Sequence, residues 1–178
     1  VKNPFTPDAY FDFNQFKQHI SIAYRLLDDI VDLEIEKVDA IINKIIKDKE
    51  PSEIKATELS LWENKIKKSL VKGRRIGLGI TAEADMLAAL GYCYGTESSG
   101  SFSVSIHSFL AQTAFQTSLT LAEQRGTFPV FDYNKEKDNP FLLRMVSESD
   151  NPDETKTKWK TNGRRNIGML TISPTGSL

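Results

Sequence analysis

Two short apolar runs constrain this chain more than any other feature, each entered through a pair of arginines and left through small or hydroxyl residues. The first is Gly73-Arg74-Arg75-Ile76-Gly77-Leu78-Gly79-Ile80-Thr81. The second is Arg164-Arg165-Asn166-Ile167-Gly168-Met169-Leu170-Thr171-Ile172, which breaks at Ser173-Pro174-Thr175-Gly176-Ser177-Leu178. Both read as buried strands, over 75–80 and 166–172. Two strands are too few for an independent sheet, so most of the fold has to be helix and the strands call for partners beyond this chain.

The helical pattern is strong. Asp12 is a plausible N-cap, and Phe16, Ile20, Ala23, Leu27 and Ile30 recur at three- and four-residue steps, predicting an amphipathic helix over 13–34. Val38, Ile41, Ile42 and Ile45 repeat the habit over 37–47 until Pro51 and Ser52 break it. Further helices are expected over 55–71 (ending at Gly73), 82–90 (closed by Gly91), 102–125 (ending at Gly126), 140–148 and 153–161. Strands alternating with helices argue for α/β.

Composition serves mainly to exclude. Net charge is -1, which offers no basic field for nucleic acid or an anionic membrane. No apolar run approaches the ~20 residues needed to cross a bilayer, and the first residues lack a signal-peptide pattern. Hydrophobic residues at 39% and charged ones at 26% suit a cytoplasmic protein. Cys93 is the only cysteine, so an internal disulfide or thiolate metal cage is ruled out. The chain starts without methionine and stops inside a loop motif, so it is expected to be an excised internal piece of a longer protein or one segment of a split protein.

Each candidate site has a bland reading beside it. Pro174-Thr175-Gly176-Ser177 is ordinary turn chemistry. It also suits an anion, because glycine lets backbone N–H groups converge and the hydroxyls donate. Gly77-Leu78-Gly79-Ile80-Thr81-Ala82 fits the dinucleotide pattern G-x-G-x-x-A, with Glu97 near the distance of a ribose-binding acid. The helix that follows is short and no apolar strand precedes Glu97, so glycines for close strand–helix packing are preferred. Arg74-Arg75 and Arg164-Arg165 could bind phosphate, but stems packed at strand entrances with heads in water are the commoner case. Asp28, Asp29, Asp32, Glu34 and Glu36 could do acid–base or cation work; a solvated helix face, or partners for Arg25 and Lys37, is preferred. His19 and His107 lack partners at ligand spacing, and Cys93 in Gly91-Tyr92-Cys93-Tyr94-Gly95 reads as an incidental thiol.

Together the two arginine-led blocks resemble the large, catalytic subunit of ribonucleotide reductases, most closely the adenosylcobalamin-dependent class II branch. Residues 23–34, 121–132 and Asn139-Pro140-Phe141 fit the same family in the same order, so the resemblance covers nearly the whole chain. It implies an α/β fold, as a partial, helix-rich segment of a ten-stranded α/β barrel. Residues 75–80 and 166–172 would lie in the wall, and residues 37–72 would form a helical excursion from the 1–178 barrel fragment. It also implies that Pro174, Thr175, Gly176, Ser177 and Leu178 bind the substrate phosphates, Thr175 and Ser177 through hydroxyls and Gly176 and Leu178 through amides. The family makes deoxyribonucleotides for DNA replication by thiyl-radical chemistry, which takes at least three cysteines. With one cysteine this segment is expected to be inactive alone, and adenosylcobalamin would serve the whole enzyme. The implied partners are a ribonucleotide substrate, the remaining barrel segments and a second copy of the whole enzyme. Two other readings remain: a non-catalytic α-rich interaction domain, and a small nucleotide-binding domain using Gly77 and Gly79.

Overall fold

A computed structural model describes residues 1–173. Helix α1 (Phe13–Lys47) starts where the Asp12 side chain accepts a hydrogen bond from Gln15 N at 2.9 Å, satisfying one of the free N–H groups of its first turn. It runs unbroken for 35 residues. The break expected after residue 34 does not occur, because Glu34-Ile35-Glu36-Lys37 contains no glycine or proline and propagation continues through it.

Pro51 then opens α2 (Ser52–Leu61), which passes through a π-helical turn (Trp62–Lys67) into α3 (Lys68–Gly73). This return leg packs back along the far half of α1, where Val38, Ile42 and Ile45 are buried and Lys67 Nζ meets Asp39 Oδ1 at 2.6 Å. Helices α4 (Glu83–Ala89) and α5 (Glu97–Arg125) follow; α5 is capped by the Thr96 side chain and stopped at Gly126, whose φ of 82° most residues avoid. The short α6 (Tyr133–Glu136) leads to α7 (Pro140–Ser147) and α8 (Pro152–Asn162), the last two entered through Asn caps followed by proline at the first helical position.

The core lies where α1, α5, α7 and α8 meet. Tyr24, Ala114, Phe115, Met145 and Trp159 are all 0% exposed there. The buried stripe of α1 is rotated from the one periodicity suggested: Ile20, Tyr24, Asp28 and Val31 face inward, whereas Ile30 is 53% exposed.

No continuous strand forms among the described residues, which corrects the strands expected at 75–80 and 166–172. The two segments run extended side by side, joined by a single parallel bridge between Leu78 and Leu170. Ile76 N donates to Gly168 O at 3.1 Å, Leu78 N to Met169 O at 2.9 Å, and Thr171 N back to Leu78 O at 3.0 Å. A lone pair of short extended segments has no neighbours to extend its ladder. One face of the pair nonetheless joins the core through Ile76 and Met169. The described portion is therefore helix-rich, with one parallel pairing in place of a sheet. No described helix is long and apolar enough to cross a membrane.

Candidate functional site

The entrance to the extended pair is built around one carboxylate. Asp28, on the inner face of α1, is 0% exposed. Arg74 donates to its Oδ1 through Nε at 3.1 Å and Nη2 at 2.9 Å, and Arg165 Nε lies 3.1 Å from Oδ2. Arg125 Nη1 reaches Oδ2 at 3.0 Å, and Asn166 Nδ2 donates to Oδ1 at 3.0 Å. Burial works against the charged carboxylate, but the hydrogen bonds from Arg74, Asn166 and Arg165 outweigh it and hold the Asp28 carboxyl below the usual range. The same guanidiniums bind the flanking acids, Arg74 to Asp32 at 2.6 Å and Arg125 to Asp29 at 2.5 Å. One buried charge thus ties α1 to the first residues of both extended segments and to the end of α5.

This arrangement corrects two sequence expectations. Within the acidic run Glu34 and Glu36 are exposed as expected, but Asp28 is buried and binds Arg74, Arg125 and Arg165. The arginine pairs do not hold their heads in water either, except at Arg75, which is exposed. Arg164 is buried: it grips Glu136 with Nε at 2.9 Å and Nη2 at 2.5 Å, donates to Asn166 O and Ile167 O, and lies 5.2 Å from the Phe128 ring centre. The signal available in the sequence was Asp28 itself, four residues after Tyr24 and in register with the buried stripe. The Asp28, Asp29 and Asp32 carboxylates approach within 4.8 Å of one another, close enough for a divalent ion. Guanidinium groups already supply the positive charge there.

Gly77 and Gly79 lie hard against Thr171 of the second segment. A Cβ on Gly79 would sit 2.0 Å from Thr171 O, and one on Gly77 would sit 2.4 Å from Thr171 Cγ2. Their role is close approach of strand to strand, rather than of strand to helix. This is the structural reading preferred from the sequence, with Thr171 of the second segment, and not a helix, as the close neighbour.

Beyond the pair, the carboxyl ends of both segments open on a cavity of about 630 Å³. Ile80 and Ile172 form its apolar edge, and Thr81, Glu83, Thr96 and Ser103 line it. Ser103 Oγ donates to Glu83 Oε1, and His107 Nε2 lies 3.0 Å from Glu83 Oε2. These two contacts hold the Glu83 carboxyl below its usual range despite partial burial. Carboxyl ends of parallel strands are where α/β folds place ligands, and hydroxyls beside a carboxylate suit a hydroxylated ligand. Neither Glu83 nor Ser103 stood out in the sequence, because their pairing spans separate helices. Pro174, Thr175, Gly176, Ser177 and Leu178 lie outside the described residues, directly after Ser173 in the chain. His19 is exposed on α1, and Cys93 is exposed in the turn before α5.

Nearly the whole length of the chain matches known proteins. The family model described as "Ribonucleotide reductase, barrel domain" matches residues 2–178. A vitamin B12-dependent ribonucleoside-diphosphate reductase of Mycobacterium tuberculosis (strain ATCC 25618 / H37Rv) is 25% identical over 172 residues, covering 96% of this chain and 18% of that protein. One of the same name from Thermoplasma acidophilum is 27% identical over 169 residues, covering 94% of this chain and 16% of that protein. A ribonucleoside-diphosphate reductase large chain of Encephalitozoon cuniculi is 22% identical over 175 residues, 96% of this chain and 20% of that protein.

Proposed function

This chain belongs to the ribonucleotide reductase barrel-domain family, and from that premise we propose that it is part of the catalytic subunit of a ribonucleotide reductase. In this reading it supplies barrel wall and the loop that receives the substrate phosphates, at Pro174, Thr175, Gly176, Ser177 and Leu178. The whole enzyme reduces ribonucleotides to deoxyribonucleotides, and the names of the relatives favour a ribonucleoside diphosphate as substrate. The observation that carries the reading is the parallel pairing around Leu78 and Leu170, whose carboxyl ends share one cavity. Residue 174 follows immediately after that shared end. A loop of glycine and hydroxyl residues at such a place can wrap phosphoryl oxygens with N–H and O–H donors.

The cobalamin named for two relatives supplies a radical to the whole enzyme when bound. The residues here do not fit that work. Cys93 is exposed, does not line the cavity at the strand ends, and has no cysteine partner in the chain. No radical or cofactor step is assigned to this segment, which is expected to be inactive without the rest of the subunit.

In the whole reductase, Thr175→Ala combined with Ser177→Ala is expected to raise KM for a ribonucleoside diphosphate about tenfold to a hundredfold. That range corresponds to about 1.5–3 kcal/mol in all, the net worth of one hydrogen bond to a charged group, with water replacing the other hydroxyl. Steady-state kinetics of deoxynucleotide formation, with and without added cobalamin, measures it. An unchanged KM removes the loop from the substrate site.

A further inference from the structure

Of the four arginines that lead into the two extended segments, three are committed to the fold. Arg74 and Arg165 bind Asp28, and Arg164 binds Glu136. Arg75 is left over. Its stem runs along Gly168, where a Cβ would sit 2.9 Å from Arg75 Cγ, and the residue lines a cavity of about 390 Å³ at the entrance to the extended pair. Lys65, in the π-helical turn, and Lys68 and Lys72, in α3, line the same cavity, with Val130 and Ile167 as its apolar part.

Four cations therefore meet at one concave place, and no carboxylate lines it. All four are exposed, and none has a salt-bridge partner among the described residues. Lys67, next to them in the chain, shows the ordinary arrangement, because it meets Asp39 at 2.6 Å. The three lysines stand at three- and four-residue steps, where like charges repel, so an anion entering the cavity relieves the cluster. The cations come from a helix and a strand entrance and converge, which suits a compact anion with several charges. The chain as a whole carries a net charge of -1 and offers an extended polyanion little beyond this cavity. Phosphoryl oxygens match both kinds of donor, the guanidinium as a fork and the ammonium groups as point charges.

We propose that this cavity binds an oligophosphate group, held by Arg75 together with Lys65, Lys68 and Lys72. It lies at the opposite end of the extended pair from the proposed phosphate loop and stands whether or not that reading holds.

Titration calorimetry of the whole reductase with tripolyphosphate tests it. Tripolyphosphate is expected to bind saturably and at least about tenfold tighter than orthophosphate, because its charges reach more of the cations. Arg75→Gln is expected to weaken it about tenfold, and Lys68→Gln combined with Lys72→Gln by at least as much. Two controls locate the effect. Lys160→Gln removes an exposed charge on α8 outside the cavity and is expected to change the affinity less than about twofold. Thr175→Ala with Ser177→Ala is expected to leave it unchanged, which separates this site from the proposed substrate loop. Pyrophosphate and isopentenyl pyrophosphate, run in parallel, distinguish a bare phosphate chain from an ester. An Arg75-dependent gain for the ester assigns an organic body resting on Val130 and Ile167, and no gain assigns the bare chain. The proposal is overturned by the absence of saturable binding, by orthophosphate binding as tightly as tripolyphosphate, or by affinity that survives Arg75→Gln. Equal losses in Arg75→Gln and Lys160→Gln overturn it too, since the attraction would then belong to the surface at large.

Discussion

Replacing Asp28 with alanine is expected to destabilise the protein by about 3–5 kcal/mol, the range for removing one partner from a buried ion pair. The argument rests on what is left behind. Arg74 and Arg165 are 7% and 8% exposed, and both lose their shared acceptor. The Asn166 amide, 0% exposed, loses one of its two hydrogen bonds and keeps the one to Arg74 O. Arg125 retains Asp29, and Arg74 retains Asp32, so the outlying pairs survive and the loss concentrates at the strand entrances. Urea unfolding measures the cost. A loss below about 1 kcal/mol, the scale of an exposed pair, would show that water already shares the site.

The pH dependence has a definite sign. The Asp28 carboxyl titrates below its usual range in the folded chain, so the unfolded chain takes up its proton first as pH falls. Its stabilisation is full above the ordinary carboxylate range and drains away as pH drops through the lower, folded value. Asp28→Asn is expected to remove that acid limb while leaving the shape intact.

The same residue shows how far the sequence can be read. Helix ends were legible because their chemistry is local: Asp12 caps α1, Gly126 stops α5, and Asn151-Pro152 starts α8, whereas Pro51, read only as a breaker, also opens α2 three residues before the expected start. The fusion of two expected helices into α1 was a boundary placed where apolar spacing lapsed, although nothing there stops propagation. The rotation of its inner face was harder to see. Periodicity ranks apolar residues, and it passes over an aspartate even where that aspartate occupies the buried stripe. Only the partners explain Asp28, and they come from positions 46, 97, 137 and 138 residues away. The arginine pairs were conspicuous for the same reason that their role was hidden: charge signals a surface unless its counter-charge is known. The proposed phosphate loop is the reverse case, a motif plain in the sequence that lies outside the described residues.

Gly79→Ala is expected to have the other large effect, about 3 kcal/mol or more, at the upper end of the range for overpacking. The added methyl would meet the main-chain oxygen of Thr171 at 2.0 Å, so no side-chain rotation relieves it. The extended pair has to separate there, next to the bonds that join Leu78 to Met169 and Thr171. Gly77→Ala provides the contrast. Its methyl meets Thr171 Cγ2, a group that Thr171→Ser removes. In thermal unfolding, Thr171→Ser is therefore expected to recover part of the loss from Gly77→Ala and none of the loss from Gly79→Ala. If serine rescues both, the two glycines are spaced for a side chain, and the close backbone contact that sets the ends of the two segments over the cavity is refuted. In the whole reductase the Gly79 variant should also raise KM for substrate, because the second segment leads straight into residues 174–178. A Gly79→Ala protein of full stability and unchanged KM would break the link between this pairing and the proposed phosphate loop.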